Sequence, residues 1–278
     1  MKKPVKVVIV GGGYLAINCA RAFYKAINQG EVDVTLISRE NYQVFHEFIP
    51  EMVTGRITPG HILSPLRRIY KNINVHVGEI ETIQFRSQMV TTSSYRDGRQ
   101  FQIPYDHLVI SEESVDDFAS YPGLAKHAIK LKTYEDSLHL KNHILKMFEL
   151  ATSIEDQKEQ NKLLTFFVAG GGFGGTELAG ELANYIRLLT TKEYKQIRRE
   201  ICKVVLVHPG HHVIPELVDS MKNKKGLPAL ARFATNHLKR IGVEVMTNTR
   251  VIWATPDEVI LSNEERIFTK TIISAVET

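Results

Sequence analysis

The stretch FFVAGGGFGGTELAGE, residues 166–181, joins a short apolar strand to a helix through a turn of glycines. Gly170, Gly172 and Gly175 have the G-x-G-x-x-G spacing of a dinucleotide-binding turn. The first glycine takes the tight turn, the second lets the backbone approach a pyrophosphate, and the third lets the helix pack closely on the strand. The order strand, turn, helix favours this interpretation over a glycine-rich hairpin, and it points the helix N-terminus at the ligand's phosphates.

A weaker copy of the pattern lies at the N-terminus. The apolar run Val5–Val10 leads into GGGYLA, residues 11–16, where Ala16 replaces the third glycine as a tolerated variant. Two such turns predict two nucleotides, and electrons pass between nucleotides when two such domains face one another. The duplicated pattern therefore indicates a flavoprotein reductase with FAD on the first domain and a nicotinamide cofactor on the second.

Composition and charge restrict the class of protein. Of 278 residues, 43% are hydrophobic and 24% charged, as expected of a soluble globular chain with room for two domains. The net charge is +4, and the basic residues are scattered without interleaved aromatic residues, so we expect no nucleic-acid partner. No apolar stretch approaches the ~18 residues of a membrane span. We therefore predict a soluble, cytoplasmic protein.

The cysteines and histidines give no support for a metal site. Cys19 and Cys202 form no C-x-x-C pair, which argues against a metal site or a redox dithiol and favours a reducing compartment. His208, His211 and His212 lie close together without a Cys, Asp or Glu at ligand spacing, so incidental loop histidines are the better interpretation.

Two positions that usually hold an acidic residue carry other side chains. About 20 residues after the glycines, a dinucleotide-binding unit normally has an acid that grips the adenosine ribose. In the first unit this strand ends at Ser38 and Arg39, and a serine makes the weaker hydrogen bond. In the second unit it ends at His208, and a neutral imidazole does not exclude a 2′-phosphate. The sequence therefore does not distinguish between NADH and NADPH as the cofactor of the second unit.

Periodicity predicts several other elements. We expect helices over Tyr134–Leu150 and Leu227–Ile241, a hairpin turning at Pro256 and Asp257, a small β-meander over 74–101, and a loop in the polar run 155–162.

Two glutamates lie one turn apart on the helix after the second glycine turn. Glu177 and Glu181 share a face, and such like charges cost a helix about 0.2–0.5 kcal/mol, so we expect a compensating interaction. The alternative is that both complement the positive helix N-terminus, which suits Glu177 better than Glu181.

Seven motifs in the right order cover the whole chain. They are GGGYLA at 11–16, NYQVF at 41–45, VTGRITP at 53–59, PLRRI at 65–69, LKTYEDSLHLKN at 131–142, AGGGFGGTELAGEL at 169–182 and IGVEVMTNTRV at 241–251. On these residues the sequence resembles the type II NADH dehydrogenases (NADH:quinone oxidoreductases) of the pyridine-nucleotide reductase superfamily.

The resemblance implies an α/β fold of two Rossmann-like domains, each with a β-meander. It implies an incomplete FAD-binding domain at 1–120, an NAD(P)H-binding domain at 121–278, and hydride transfer from NAD(P)H to FAD and then to a quinone-like acceptor. It places Glu177 beside the nicotinamide and the flavin as the catalytic candidate, and the strand of Ile80 along the adenine. The candidate cofactor-binding residues are Gly11, Gly13, Tyr14, Leu15, Ala16, Ser38, Arg39, Ile80, Ser111, Gly170, Gly172, Phe173, Gly174, Gly175, His208 and Ala275.

The chain departs from the family pattern in several places. Glu113 stands in a loop that is small and glycine-containing in relatives, and Glu277 stands where they usually have glycine. In the family, three further features follow the position of Glu277. They are a strand beside the first strand of the FAD domain, a Gly-Asp pair that holds the ribityl chain of the flavin, and C-terminal helices for quinone, dimer and membrane contacts. The alternative is therefore a truncated or degenerate homologue that binds a nucleotide without turnover. We expect the chain alone to hold FAD weakly and to self-associate through an exposed edge, with peripheral membrane association only through a further C-terminal segment.

Overall fold

The computed structural model describes residues 3–111, 121, 123–219 and 227–276, so Glu113 and Glu277 lie outside the described residues. The chain divides into two compact units, the first formed by residues 1–45 and 60–114 and the second by residues 46–59 and 115–278. Residues 46–59 thus belong with the second unit, although they interrupt the first in sequence.

The described residues form the following elements in chain order. The strands are β1 (Val5–Val10), β2 (Val32–Ser38), β3 (Tyr42–Val44), β4 (Leu63–Pro65), β5 (Asn74–Val77), β6 (Glu79–Gln84), β7 (Met89–Ser93), β8 (Gln100–Pro104), β9 (His107–Ile110), β10 (Ile129–Lys130), β11 (Thr165–Ala169), β12 (Lys203–Val207), β13 (Val243–Met246), β14 (Val251–Ala254), β15 (Glu258–Leu261), β16 (Arg266–Phe268) and β17 (Thr271–Ser274). The helices are α1 (Tyr14–Ala22), α2 (Tyr24–Asn28), α3 (Ile49–Thr54), α4 (Pro59–Ile62), α5 (Leu66–Ile69), α6 (Leu124–His127), α7 (Tyr134–Thr152), α8 (Gln157–Leu163), α9 (Phe173–Lys192), α10 (Pro215–Asp219) and α11 (Leu227–Arg240).

The first unit contains a four-stranded parallel sheet in the order β5-β2-β1-β9 and an antiparallel meander of β6, β7 and β8. Successive side chains of a strand point to opposite faces of the sheet, so the apolar side chains of β1 pack on both faces. Val7 and Ile9 pack with α1, whereas Val8 and Val10 pack with the meander. The expectation that β1 lacks a neighbouring strand is wrong, because β2 and β9 pair with β1 on its two sides. The two edges of the described sheet are β5 and β9.

The second unit repeats this arrangement with a five-stranded parallel sheet in the order β10-β17-β11-β12-β13. Phe166 and Val168 of the central strand β11 pack with α7 and α9. Phe167 and Ala169 pack on the other face, with β14 and β15 of an antiparallel meander. The predicted fold class, two Rossmann-like domains that each carry a meander, is confirmed.

A helix replaces the loop that we expected at 155–162. The structure has α8 there, and Asp156 caps its N-terminus by accepting a hydrogen bond from the Lys158 amide at 2.9 Å. Only Leu163 at its end is buried, so the segment lacks the apolar periodicity that signals a helix. The predicted helix from Tyr134 is present, and a capping box of Thr133 and Asp136 fixes its start.

Among the described residues, no helix combines the length and the apolar character that a membrane-spanning segment needs.

Candidate dinucleotide-binding sites

The two glycine turns have nearly the same backbone conformation. Gly11 and Gly170 have φ values of +104° and +111°, in the region that favours glycine. Gly13 and Gly172 cap the following helices with φ of −79° and −67° and the same ψ of −169°. The weaker N-terminal motif therefore folds as a second copy of the turn at 170–175.

The first glycine of each turn lies against the end of a neighbouring strand. A Cβ atom on Gly11 would lie 1.9 Å from the carbonyl oxygen of Ser111, which follows β9. A Cβ atom on Gly170 would lie 2.3 Å from the carbonyl oxygen of Ala275, which follows β17. Ser111 and Ala275, both predicted from the sequence, thus hold equivalent places beneath the two turns.

The third position differs between the turns. A Cβ atom on Gly175 would lie 1.9 Å from the carbonyl oxygen of Gly170, so α9 approaches its turn too closely for any side chain. In the first unit, the Ala16 methyl is accommodated in the core with no exposed area. The second turn is therefore the stricter one.

The first unit has an open cavity of about 380 Å³ near the carboxyl ends of β2 and β5. Ser38 is buried, and its Oγ atom lies 2.5 Å from where a Cβ on Gly12 would stand, so it packs beneath the turn. Tyr95 donates a hydrogen bond to Glu79 Oε2 at 2.7 Å, and no pattern in the sequence indicates a role for this tyrosine. The cavity is lined by Arg39, Glu40, Asn41, Val77 and Tyr95, and Ile80 instead packs between sheet and meander.

The second unit has a cavity of about 140 Å³ at the carboxyl ends of β11, β12 and β17. Ligands of open parallel sheets bind at this end of the strands. Four predicted residues, Gly170, Gly172, His208 and Ala275, line it. Phe173 and Gly174 begin α9 beside it, and Phe173 is exposed. The cavity is also lined by three residues that no pattern in the sequence indicates, Tyr121, Glu216 and Arg250.

His208 faces the glycine turn. Its Nδ1 atom accepts a hydrogen bond from the Gly171 amide at 3.3 Å. A Cβ atom added to Gly171 would lie 2.8 Å from His208 Cβ, and one added to Gly210 would lie 2.7 Å from His208 Nε2. The His208 side chain therefore lies between two glycines. Burial lowers the pKa of His208, and the nearby Glu216 opposes this with a smaller effect. The imidazole is therefore neutral at pH 7, with its proton on Nε2.

The two acids of α9 have different surroundings. Glu177 is exposed, whereas the Glu181 side chain is only 12% exposed. Glu181 accepts hydrogen bonds from Thr54 Oγ1 at 3.1 Å and from the Arg56 guanidinium, both in the segment 46–59. Arg56 supplies the compensating charge that the spacing of the two glutamates led us to expect.

No group of three or more His, Cys, Asp or Glu side chains within the described ranges is arranged to hold a metal ion.

Comparison with known proteins identifies relatives for both units. Over 249 residues the chain is 32% identical to the type II NADH:quinone oxidoreductase NdhA of Mycobacterium tuberculosis and 30% identical to Ndh of that organism, covering 88% of this chain and 50% of each relative. It is 26% identical over 269 residues to the external alternative NAD(P)H-ubiquinone oxidoreductase B4, mitochondrial, of Arabidopsis thaliana, covering 94% of this chain and 44% of that protein. The structure of NDH2 from Plasmodium falciparum in complex with NADH has the same fold, with a TM-score of 0.84 at 20% identity over 99% of this chain and 55% of that one.

The chain spans about half the length of the curated relatives it matches. The sequence profile of one family, described as pyridine nucleotide-disulphide oxidoreductase, matches residues 5–276 and so includes both glycine turns. The chain therefore belongs to the pyridine nucleotide-disulphide oxidoreductase family.

Proposed function

We propose that the chain acts as an FAD-dependent NAD(P)H oxidoreductase similar to type II NADH dehydrogenases. The observation that carries the proposal is the duplicated glycine turn, at 11–16 and 170–175, each at the start of a helix and against the end of a parallel strand. When bound, FAD would take the hydride of NAD(P)H and pass the electrons to a quinone-like acceptor. The chain's own residues would bind and orient the two nucleotides.

The second unit fits a nicotinamide dinucleotide. The cradle of Gly170 and Gly172 leaves the backbone open, and the N-terminal amides of α9 complement a pyrophosphate. Arg250 adds positive charge to the cavity, and the strand end carries His208 instead of an acid. Both NADH and NADPH are therefore proposed as ligands, and the exposed Glu177 is the proposed orienting group for the nicotinamide.

The first unit fits FAD less completely. Gly11 and Gly13 form the same cradle, and Tyr14 and Leu15 are exposed in the first turn of α1. Ser38, however, is buried beneath the turn, which places its hydroxyl poorly for an adenosine ribose. This observation favours the second candidate function, a homologue that binds a nucleotide without turnover.

The names of the relatives support the remaining parts of the proposal. NdhA and Ndh of Mycobacterium tuberculosis are named NADH:quinone oxidoreductases, and we propose a quinone as acceptor on that basis. We propose 1–120 as the FAD-binding domain and 121–278 as the NAD(P)H-binding domain. Weak FAD retention, self-association and a reducing, cytoplasmic compartment belong to the same proposal.

Flavin reduction tests the proposed function. Purified protein is mixed with an equimolar amount of FAD, and visible absorption is followed under anaerobic conditions while NADH or NADPH is added. We expect the flavin band to bleach and to return when a short-chain quinone is added. Flavin that neither nucleotide bleaches would support the non-catalytic homologue instead. A Gly172→Val variant is the matched control, because its side chain would occupy the phosphate position.

A further inference from the structure

The peptide group of Gly171, in the middle of the second glycine turn, is held on both sides. Its carbonyl oxygen accepts hydrogen bonds from the Ile214 amide at 2.6 Å and from Thr176 Oγ1 at 3.1 Å. Its amide donates to His208 Nδ1 at 3.3 Å. Three elements therefore fix this peptide: α9, the residue before α10, and the residue that follows β12. Of the three groups that form hydrogen bonds with this peptide, the His208 imidazole is the one that can gain or lose a proton.

We propose that His208 is the positioning residue of the dinucleotide site in the second unit, and that its unprotonated imidazole strengthens nucleotide binding by holding the Gly171 amide. This inference rests on the proposed function of the site. It assigns to His208 a contact with the turn, whereas the sequence pattern suggested a contact with the ribose.

Protonation would replace the acceptor by a second donor. Nδ1 would then carry a hydrogen that points at the Gly171 N–H, and that hydrogen bond would be lost. The ring packs closely against Gly171 and Gly210, because a Cβ atom added to Gly171 would lie 2.8–2.9 Å from its Cβ and Cγ atoms and one added to Gly210 would lie 2.7 Å from Nε2. The buried Nε2 atom has no hydrogen-bond partner among the described residues, so the cation would also be poorly solvated.

Burial and one nearby charge act on His208 in opposite directions. The carboxylate of Glu216 in α10 attracts a proton to His208, and Tyr121 and Arg250 line the same cavity. Burial has the largest effect and lowers the pKa of His208 below its usual value. The unprotonated form thus predominates at neutral pH, and binding should weaken only on the acid side.

The test is calorimetric titration of the whole chain with ADP-ribose between pH 5.5 and pH 8. This probe carries the adenosine and the pyrophosphate but no nicotinamide, so it reports the turn without redox chemistry. We expect the affinity of the unchanged protein to fall by about fivefold or more as the pH falls through the pKa of His208, because the hydrogen bond to Gly171 is lost. Circular dichroism at each pH verifies that the protein is folded.

Three variants separate positioning from folding. In His208→Asn the side-chain oxygen can accept from Gly171 and does not titrate, so we expect binding that no longer depends on pH. In His208→Leu the acceptor is lost, and affinity should fall by about fivefold even at pH 8. His211→Asn changes an exposed histidine of the same loop and should keep the original pH profile.

Two results would overturn the inference. One is a His208→Leu variant, shown by circular dichroism to be folded, that binds ADP-ribose at pH 8 as tightly as the unchanged protein does. The other is a His208→Asn or His208→Leu profile that keeps the original loss of affinity at acid pH. Either result leaves the proposed function intact if NADH binds at pH 8. Absence of NADH and ADP-ribose binding at pH 8 would instead overturn both the proposed function and this inference.

Discussion

Replacing Gly170 by alanine should destabilise the second unit through two separate effects. At φ of +111° an L residue is strained, which costs about 1–3 kcal/mol. The new Cβ would also lie 2.3 Å from the backbone oxygen of Ala275, and overpacking of this kind adds about 1–3 kcal/mol. We therefore expect Gly170→Ala to lower the free energy of unfolding by about 2–6 kcal/mol, a large part of a typical total of about 5–15 kcal/mol.

Gly242→Ala is the matched control in the same unit. Its φ of +95° brings similar strain, but the new Cβ would meet only the side-chain Nη2 of Arg199 at 3.2 Å. We expect a loss of about 1–3 kcal/mol there. Urea unfolding is followed by the fluorescence of Trp253, the single tryptophan, which lies in β14 of the second unit. Equal losses in the two variants would refute the claim that the turn is pressed against the end of β17.

Other consequences concern charge, selectivity and thiol reactivity. Arg56→Ala should lower the free energy of unfolding by about 1 kcal/mol. In a Glu181→Gln background, Arg56→Ala should cost less, because the ion pair is already absent. Additive effects of the two substitutions in a double-mutant cycle would contradict the ion pair between Arg56 and Glu181. His208→Glu should weaken NADPH binding by at least about tenfold relative to NADH binding, because a carboxylate repels the 2′-phosphate. If calorimetry gives an unchanged ratio of the NADPH and NADH dissociation constants, the 2′-phosphate lies elsewhere. Burial raises the pKa of Cys202 to about 12, so at pH 8 a thiol reagent should modify Cys202 far more slowly in folded protein than in urea; equal rates would show that this thiol is not buried.

The glycine turns could be predicted because their chemistry is local. Gly11 and Gly170 adopt positive φ next to a strand end, and only glycine fits there, so residue type and spacing carry the information. The strands followed in the same way from short apolar runs. Ser111 and Ala275, in contrast, were predicted through the family resemblance, and the structure places both beneath the turns.

One error is local, whereas the omissions arise from interactions between residues far apart in the sequence. Helix α8 was missed because its run is polar, although Asp156 is a capping residue in the right place. The pairing of β1 with β9 joins residues about a hundred positions apart, which no local pattern reports. The same holds for the contact of Arg56 with Glu181 and for the direction of His208 toward Gly171.

The central claim is that the second glycine turn binds a nicotinamide dinucleotide. Titration calorimetry of the folded chain with NADH and NADPH at pH 8, alongside a Gly172→Val variant, tests it most directly. We predict saturable binding of at least one of the two nucleotides, and loss of that binding when the valine side chain occupies the phosphate position. Absence of binding of either nucleotide up to millimolar concentration, in protein that circular dichroism shows to be folded, would contradict the claim.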